Sequence, residues 1–297
     1  MEFQHLKIVE HPSGAILVDL DVRDKRLNVL SEEVFADLDE VIRHMAKSPK
    51  ERPIFLRSGK EKGFVVGADL RRLKELTEPE AVDRFLKKGQ ETMRAWAQLP
   101  NSTVAWVKGM ALGGGLELAL SCRYLLVSQG PNVQLGMPET KLGLLPGWGG
   151  TQLLPRRIGF EAALTMLLTG EPIDESRALA LGLADGTWAT DSEAPELESW
   201  IETLQQKQGQ SLPKRPTHAE LQAERARFDE NLPPWSQLLG ETVAEEILRA
   251  RRAILSAVFK GIEKGIEAGM DEERKQFCPL VGDPKVQAHL DRFMPKK

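Results

Sequence analysis

The spacing of hydrophobic and polar positions changes period repeatedly along the first half of the chain. Ala15-Ile-Leu-Val-Asp-Leu and Pro53-Ile-Phe-Leu-Arg are short apolar runs that predict strands. Between them, Ser31 to Met45 repeats apolar residues at helical spacing, with Ser31 ahead of Glu33 and Val34 as a helix start. Val104-Ala-Trp-Val and Tyr124-Leu-Leu-Val predict further strands, each beside a glycine-containing turn or a helix. Strands that alternate with helices predict an α/β fold.

After about Trp188 the pattern shifts. Thr190 to Pro234 is polar and punctuated by Pro195, Pro213, Pro216, Pro233 and Pro234, which reads as a connector with short helical stretches. Glu241 to Gly269 then places Val243, Ile247, Ala250, Ile254, Val258, Ile262 and Ile266 on one stripe. This predicts one long helix, packed on its own core or on another subunit. The expected division is a core over residues 1–188 and a connector with a helical region over 189–297.

Composition narrows the function classes. With 40 Lys and Arg against 44 Asp and Glu, the net charge of −4 offers no general attraction for nucleic acid or an anionic membrane. Cys122 and Cys278 stand far apart without neighbouring ligands, so they predict reduced thiols rather than a disulfide framework or a zinc site. The opening residues lack an apolar signal core, and no run reaches the roughly 20 apolar residues needed to span a bilayer. The expected location is cytoplasmic.

The stretch with the most chemical content is Met110-Ala-Leu-Gly-Gly-Gly-Leu-Glu, three glycines followed by an acid among apolar residues. Glycines let a backbone approach a ligand, and a helix beginning there presents unpaired N–H groups to a developing negative charge. Glu117 taken alone is either a solvated helix glutamate or a buried functional acid, and its apolar neighbours favour burial. Gly67-Ala68-Asp69 precedes an amphipathic helix carrying Leu70, Leu73 and Leu76, so it is either an ordinary helix cap or a loop with a free Ala68 amide. Glu139 follows a proline and precedes Leu142, Leu144 and Leu145, and is either a capping acid or a functional one.

Competing motifs are missing. Neither glycine cluster completes G-x-G-x-x-G, and there is no G-x-x-x-x-G-K-[ST] and no G-x-S-x-G. His5, His11, His44, His218 and His289 show no metal spacing and read as surface or packing residues.

Taken together, Phe64-Val-Val-Gly-Ala-Asp-Leu, Gly109-Met-Ala-Leu-Gly-Gly-Gly-Leu-Glu and Met137-Pro-Glu-Thr-Lys-Leu-Gly-Leu-Leu-Pro-Gly-Trp-Gly-Gly-Thr resemble the crotonase (enoyl-CoA hydratase/isomerase) family. The likeness runs from about Leu17 to Asp185, and the last segment is especially similar to the hydratase part of the multifunctional fatty-acid oxidation enzyme. The resemblance implies a crotonase-like ββα spiral core with a helical C-terminal part. It implies an acyl-CoA thioester whose carbonyl lies between the backbone amides of Ala68 and Gly114, with Glu117 and Glu139 as the catalytic acids. Lys25, Arg26, Leu27, Gly67, Asp69 and Leu70 would then contact coenzyme A, with Lys60 and Lys62 either weaker phosphate contacts or simply a solvated face.

Retention of both acids is characteristic of members that add water, so the expected reaction is reversible syn hydration of a trans-2-enoyl-CoA of the kind met in fatty-acid β-oxidation. A Δ3-Δ2 enoyl-CoA isomerase, another acyl-CoA reaction of the family, or a non-catalytic acyl-CoA-binding subunit are the alternatives. No metal or other cofactor is expected, acyl-CoA being the substrate. The resemblance also implies a homotrimer or hexamer built through the C-terminal helices, or a monomer if they fold back. No dinucleotide-binding fingerprint occurs, so the dehydrogenase activity of the multifunctional enzyme does not carry over.

Three departures stand out. The interval from Glu117 to Glu139 is about two residues longer than the family's, with Gln129-Gly-Pro-Asn expected as an enlarged hairpin tip. Arg123 stands where the family commonly has Asp. Trp148 occupies a position in the glycine-rich segment where it would narrow an acyl pocket.

Overall fold

The four apolar runs at residues 15–20, 53–57, 104–107 and 124–127 become strands of one sheet, each strand directing successive side chains to opposite faces. In the computed structural model, which describes residues 1–76, 78–190, 193–206, 215–230 and 243–293, the chain forms two compact units. The first comprises Met1–Gly67, Glu91–Leu135 and Ile173–Lys214, and the second Ala68–Gln90, Gly136–Pro172 and Arg215–Lys297.

The first unit is built on β1 (Leu6–Glu10), β2 (Ile16–Leu20), β3 (Ile54–Ser58), β4 (Thr103–Val107), β6 (Tyr124–Ser128) and β8 (Gly186–Trp188), in spatial order β1-β2-β3-β4-β6-β8. Only β1 runs antiparallel to its neighbour among these pairings; the others are parallel. The register aligns Leu17 with Phe55 and Phe55 with Val104, and sets Trp106 beside Leu126, so one face carries a continuous apolar row. Trp106 stacks on Trp188 with centroids 4.7 Å apart and meets Phe55 edge-on at 5.8 Å.

The helix Glu193–Gln206 covers that row with Leu197, Ile201 and Leu204, all buried. This part of the polar Thr190–Pro234 stretch therefore contributes core; residues 191–192, 207–214 and 231–242 lie outside the described residues. α1 (Glu32–Met45) starts as the sequence predicts: Ser31 caps it, its side chain accepting the Val34 N–H.

A second, two-stranded sheet pairs β5 (Met110–Leu112) with β7 (Gln134–Gly136). The expected hairpin tip at Gln129-Gly-Pro-Asn is corrected accordingly. These residues lead from β6 in one sheet to β7 in the other, rather than turning between paired neighbours. Gly130 within them has φ +128° and open space around it.

The second unit is helical. Phe160, Phe228 and Phe259 form an aromatic cluster with centroid distances of 5.2, 6.0 and 6.1 Å. The single helix expected from Glu241 to Gly269 is instead two, Glu245–Lys264 and Ile266–Val281. They are separated by Gly265 at φ +93°, a backbone state that L side chains avoid. The buried stripe continues into the second helix through Gly269, Met270, Glu273, Phe277 and Leu280. Gln152 fills the space above Gly261 and Gly269, and its Nε2 donates to the Ala257 carbonyl at 2.9 Å.

Candidate active site

In the first unit, the glycine run begins where β5 ends. Gly113 has φ +52° and ψ −126°, a combination glycine supplies without strain, and it turns the chain from strand into helix at Gly114–Leu120. Gly114 opens that helix, and the first N–H groups of a helix have no intrahelical acceptor. Glu117 lies in the first turn and is 1% exposed, in a helix whose residues are all buried. Of the two readings left open by the sequence, burial is the one found.

The segment Phe64–Gly67 runs beside β5. Phe64 N–H donates to Met110 O at 2.7 Å, Leu112 N–H donates to Val65 O at 3.0 Å, and Val65 bridges Ala111 in parallel. Gly67 sits against Leu112 O and Gly114 N, so the ends of the two glycine-bearing segments lie side by side. Gly115 packs so tightly on Val65 that a Cβ there would stand 2.0 Å from the Val65 carbonyl oxygen.

Asn28 ties this arrangement to the Lys25-Arg26-Leu27 loop. It accepts the Val22 N–H at 2.9 Å and donates to Leu20 O at 2.8 Å, Ser58 Oγ at 3.0 Å and Phe64 O at 3.1 Å. Its backbone oxygen accepts the Val66 N–H. Replacing Asn28 by Ala strands several buried polar groups, and we expect a loss of about 2–4 kcal/mol in the denaturant unfolding of the full chain. Lys60, in the segment after β3, reaches Val22 O at 2.8 Å and pairs with Asp21, which occupies it as a structural group. Lys62 is exposed and lines a cavity of about 430 Å³ with Lys108, Gln129 and Thr190.

In the second unit, Ala68 follows Gly67 directly, and Asp69 caps the short helix Leu70–Glu75 by accepting the Arg71 N–H at 3.1 Å. The cap reading of Asp69 therefore holds, whatever else the loop does. Glu139 is the second residue of a 3-10 turn, Pro138–Leu142, that ends at Gly143 in the left-handed region. Its Oε2 is shut off from solvent and has no hydrogen-bond partner among the described residues. Burial pushes the Glu139 carboxyl up to about 7, its own main-chain N–H opposes this, and the charge of Glu273 adds to the rise.

Sequence reasoning did not single out Glu273. It is fully buried on the helix Ile266–Val281 and accepts four hydrogen bonds. The donors are Gly149 N–H at 2.7 Å, Thr151 N–H at 3.2 Å, Thr151 Oγ1 at 2.5 Å and Gln90 Nε2 at 3.2 Å. The available signal was an acid between Met270 and Phe277 on an otherwise apolar stripe.

Trp148 is buried against Phe85, edge to face at 5.4 Å. Arg123 is exposed on its side chain while its N–H donates to Thr103 Oγ1 at 2.9 Å. Both cysteines are free thiols. Among the described residues, no group of three His, Cys, Asp or Glu is placed to hold a metal ion, and no helix is long and apolar enough to cross a membrane.

The predicted site residues thus fall in both units: Lys25, Arg26, Leu27, Gly67, Gly114 and Glu117 in the first, and Ala68, Asp69, Leu70 and Glu139 in the second. The model of the family described as enoyl-CoA hydratase/isomerase matches residues 17–275, and the chain belongs to that family.

Solved structures agree on the crotonase-like fold with a helical C-terminal part. An enoyl-CoA hydratase from Mycobacterium avium subsp. paratuberculosis K-10 is 20% identical with a TM-score of 0.68, covering 98% of this chain and 99% of that one. A carnitinyl-CoA dehydratase from Mycobacterium thermoresistibile is 19% identical with a TM-score of 0.72, covering 98% and 89%. An enoyl-CoA hydratase from Bacillus anthracis is 27% identical with a TM-score of 0.62, covering 89% and 98%.

Proposed function

We propose that the protein catalyses reversible syn addition of water to a trans-2-enoyl-CoA, giving a 3-hydroxyacyl-CoA. The observation that carries this reading is a pair of acids on separate elements, Glu117 buried after the glycine run and Glu139 half-buried, with one oxygen shut off from solvent and without a hydrogen-bond partner among the described residues. Membership of the hydratase/isomerase family and the names of the similar structures support the substrate class.

Addition of water moves charge onto the thioester carbonyl. Backbone N–H donors from Ala68 and Gly114 stabilise that enolate more than the ground state, and removal of one such donor from an enzyme typically costs about 2.7–4 kcal/mol of barrier. Glu117 orients and deprotonates the water that attacks C3. Glu139 delivers a proton to C2, and a carboxyl held near 7 is suited to carry a proton at neutral pH. Lys25, Arg26, Leu27, Gly67, Asp69 and Leu70 contact the CoA portion. The reaction proceeds without a metal or other cofactor, since acid, base and oxyanion donors are all supplied by the chain.

The test is a panel of trans-2-enoyl-CoA thioesters of increasing acyl length, followed by loss of the conjugated absorbance and identification of the product. Formation of 3-hydroxyacyl-CoA supports the proposal. Turnover of 3-enoyl-CoA alone would point to Δ3-Δ2 isomerisation, and stoichiometric acyl-CoA binding without turnover would point to a binding subunit.

A further inference from the structure

The Glu139 carboxyl feels the charge of Glu273, a fully buried carboxyl, and the two are hydrogen-bonded very differently. Glu273 receives two donors on each oxygen: Gly149 N–H and Gln90 Nε2 on Oε1, Thr151 N–H and Thr151 Oγ1 on Oε2. Glu139 Oε2 has no hydrogen-bond partner among the described residues. When two carboxyls in low dielectric feel each other, they do not both ionise readily, and the negative charge settles where donors point. Backbone N–H donors favour the carboxylate specifically, since a protonated oxygen would face another hydrogen.

The geometry points to Glu273 as a positioning residue for the second acid: it retains the negative charge of the pair and so keeps the transferable proton on Glu139. The inference rests on the proposed role of Glu139 as proton donor. Both carboxyls are raised by burial, each to about 7, and the donors around Glu273 act in the opposite direction on it. Glu273 also anchors the turn Gly147–Thr151, because Gln90 reaches from it to the Gly147 carbonyl at 3.2 Å and to Met270 O at 3.3 Å. One side chain thereby links the glycine-rich turn after Glu139 to the C-terminal helices.

The other charges around the pair are committed elsewhere. Arg274 donates to Asp83, Asp271 and Gln90, and Arg156 donates to the Gln152 and Gly261 carbonyls. Lys141 pairs with Glu171 at 2.8 Å, Glu272 accepts from Ser256 and Gln276, and Lys285 and His289 face Glu246. None of these cations is hydrogen-bonded or ion-paired to Glu139 or Glu273.

The experiment compares the full chain with Glu273→Gln, Glu273→Asp and Glu139→Gln, each checked for folding by thermal unfolding, using crotonyl-CoA hydration as the readout. Removing the neighbouring negative charge makes Glu139 lose its proton at lower pH. Glu273→Gln is therefore expected to move the alkaline limb of the kcat profile down by about one pH unit, which lowers kcat by up to about tenfold on that limb, and to leave KM within about threefold. Glu273→Asp keeps the charge and is expected to keep the limb in place. Should Glu273→Gln not fold, Thr151→Val removes one donor and is expected to move the limb in the same direction by less. A folded variant that loses rate with the alkaline limb unmoved makes Glu273 a packing residue only and overturns the inference. Parental hydration by Glu139→Gln would instead remove the catalytic reading on which the inference stands, a failure that is read independently of Glu273.

Discussion

Glu139→Gln is expected to lower the rate of enoyl-CoA hydration by about 10²–10⁴-fold, and Glu117→Gln by a similar factor, because each removes one proton transfer while preserving shape. These factors correspond to roughly 3–5.5 kcal/mol of barrier. The two substitutions differ in their side effects. Glu117 sits inside a fully buried helix turn, so its amide replacement also alters the polar environment of the first unit. Glu139 lies in a short 3-10 turn with one oxygen unpartnered, so its amide replacement breaks no hydrogen bond at that oxygen and acts mainly on the proton and on the charge felt by Glu273. Measured by initial rates with CoA affinity followed separately, the expected signature is a loss in kcat with substrate binding largely retained.

Gly115→Ala is expected to be among the most damaging single-methyl additions in the chain. Its Cβ would meet the Val65 carbonyl oxygen at 2.0 Å, the Val65 carbonyl carbon at 2.5 Å and the Val65 Cβ at 2.9 Å. Two of those atoms are backbone, so no rotamer change relieves the overlap. Either the helix Gly114–Leu120 moves off the Phe64–Gly67 segment, or the Leu112 N–H bond to Val65 O breaks. Overpacking typically costs about 1–3 kcal/mol, and an overlap with rigid backbone places this one at the upper end. Denaturant unfolding of the full chain is expected to show that loss, together with hydration reduced to near background because Gly114 and Glu117 travel with the displaced helix. Retained stability and retained rate would mean that the two segments are not held together as described.

Much of the first unit was legible because local pattern and tertiary demand agree there. Ser31 is a helix start by its chemistry and is one in the fold, and the strands at residues 16–20, 54–58, 103–107 and 124–128 bury the apolar runs that marked them. The helix start at the glycine run and the burial of Glu117 were legible because the residues that follow the glycines are apolar.

What remained hidden depends on partners distant in sequence. Asn28 looks like one polar loop residue among many until Leu20, Val22, Ser58 and Phe64 are seen to converge on it. Gly265 sits in a regular apolar stripe, and periodicity alone does not register that its φ of +93° breaks the helix. Leu197, Ile201 and Leu204 repeat at helical spacing, but polar neighbours and the surrounding prolines mask them. Glu273 is the most instructive case. An acid within an apolar stripe carries a signal, yet its four donors come from Gln90, Gly149 and Thr151, far away in the sequence.

The division of labour between Glu117 and Glu139 is tested most directly by exchange of the C2 protons of a saturated thioester, butyryl-CoA, in deuterated water. That exchange needs enolate stabilisation and a proton-transfer group at C2, but no attack by water at C3. The account predicts that the parent and Glu117→Gln both exchange the C2 proton while Glu139→Gln does so at least about a hundredfold more slowly. Exchange by Glu139→Gln at the parental rate would contradict it.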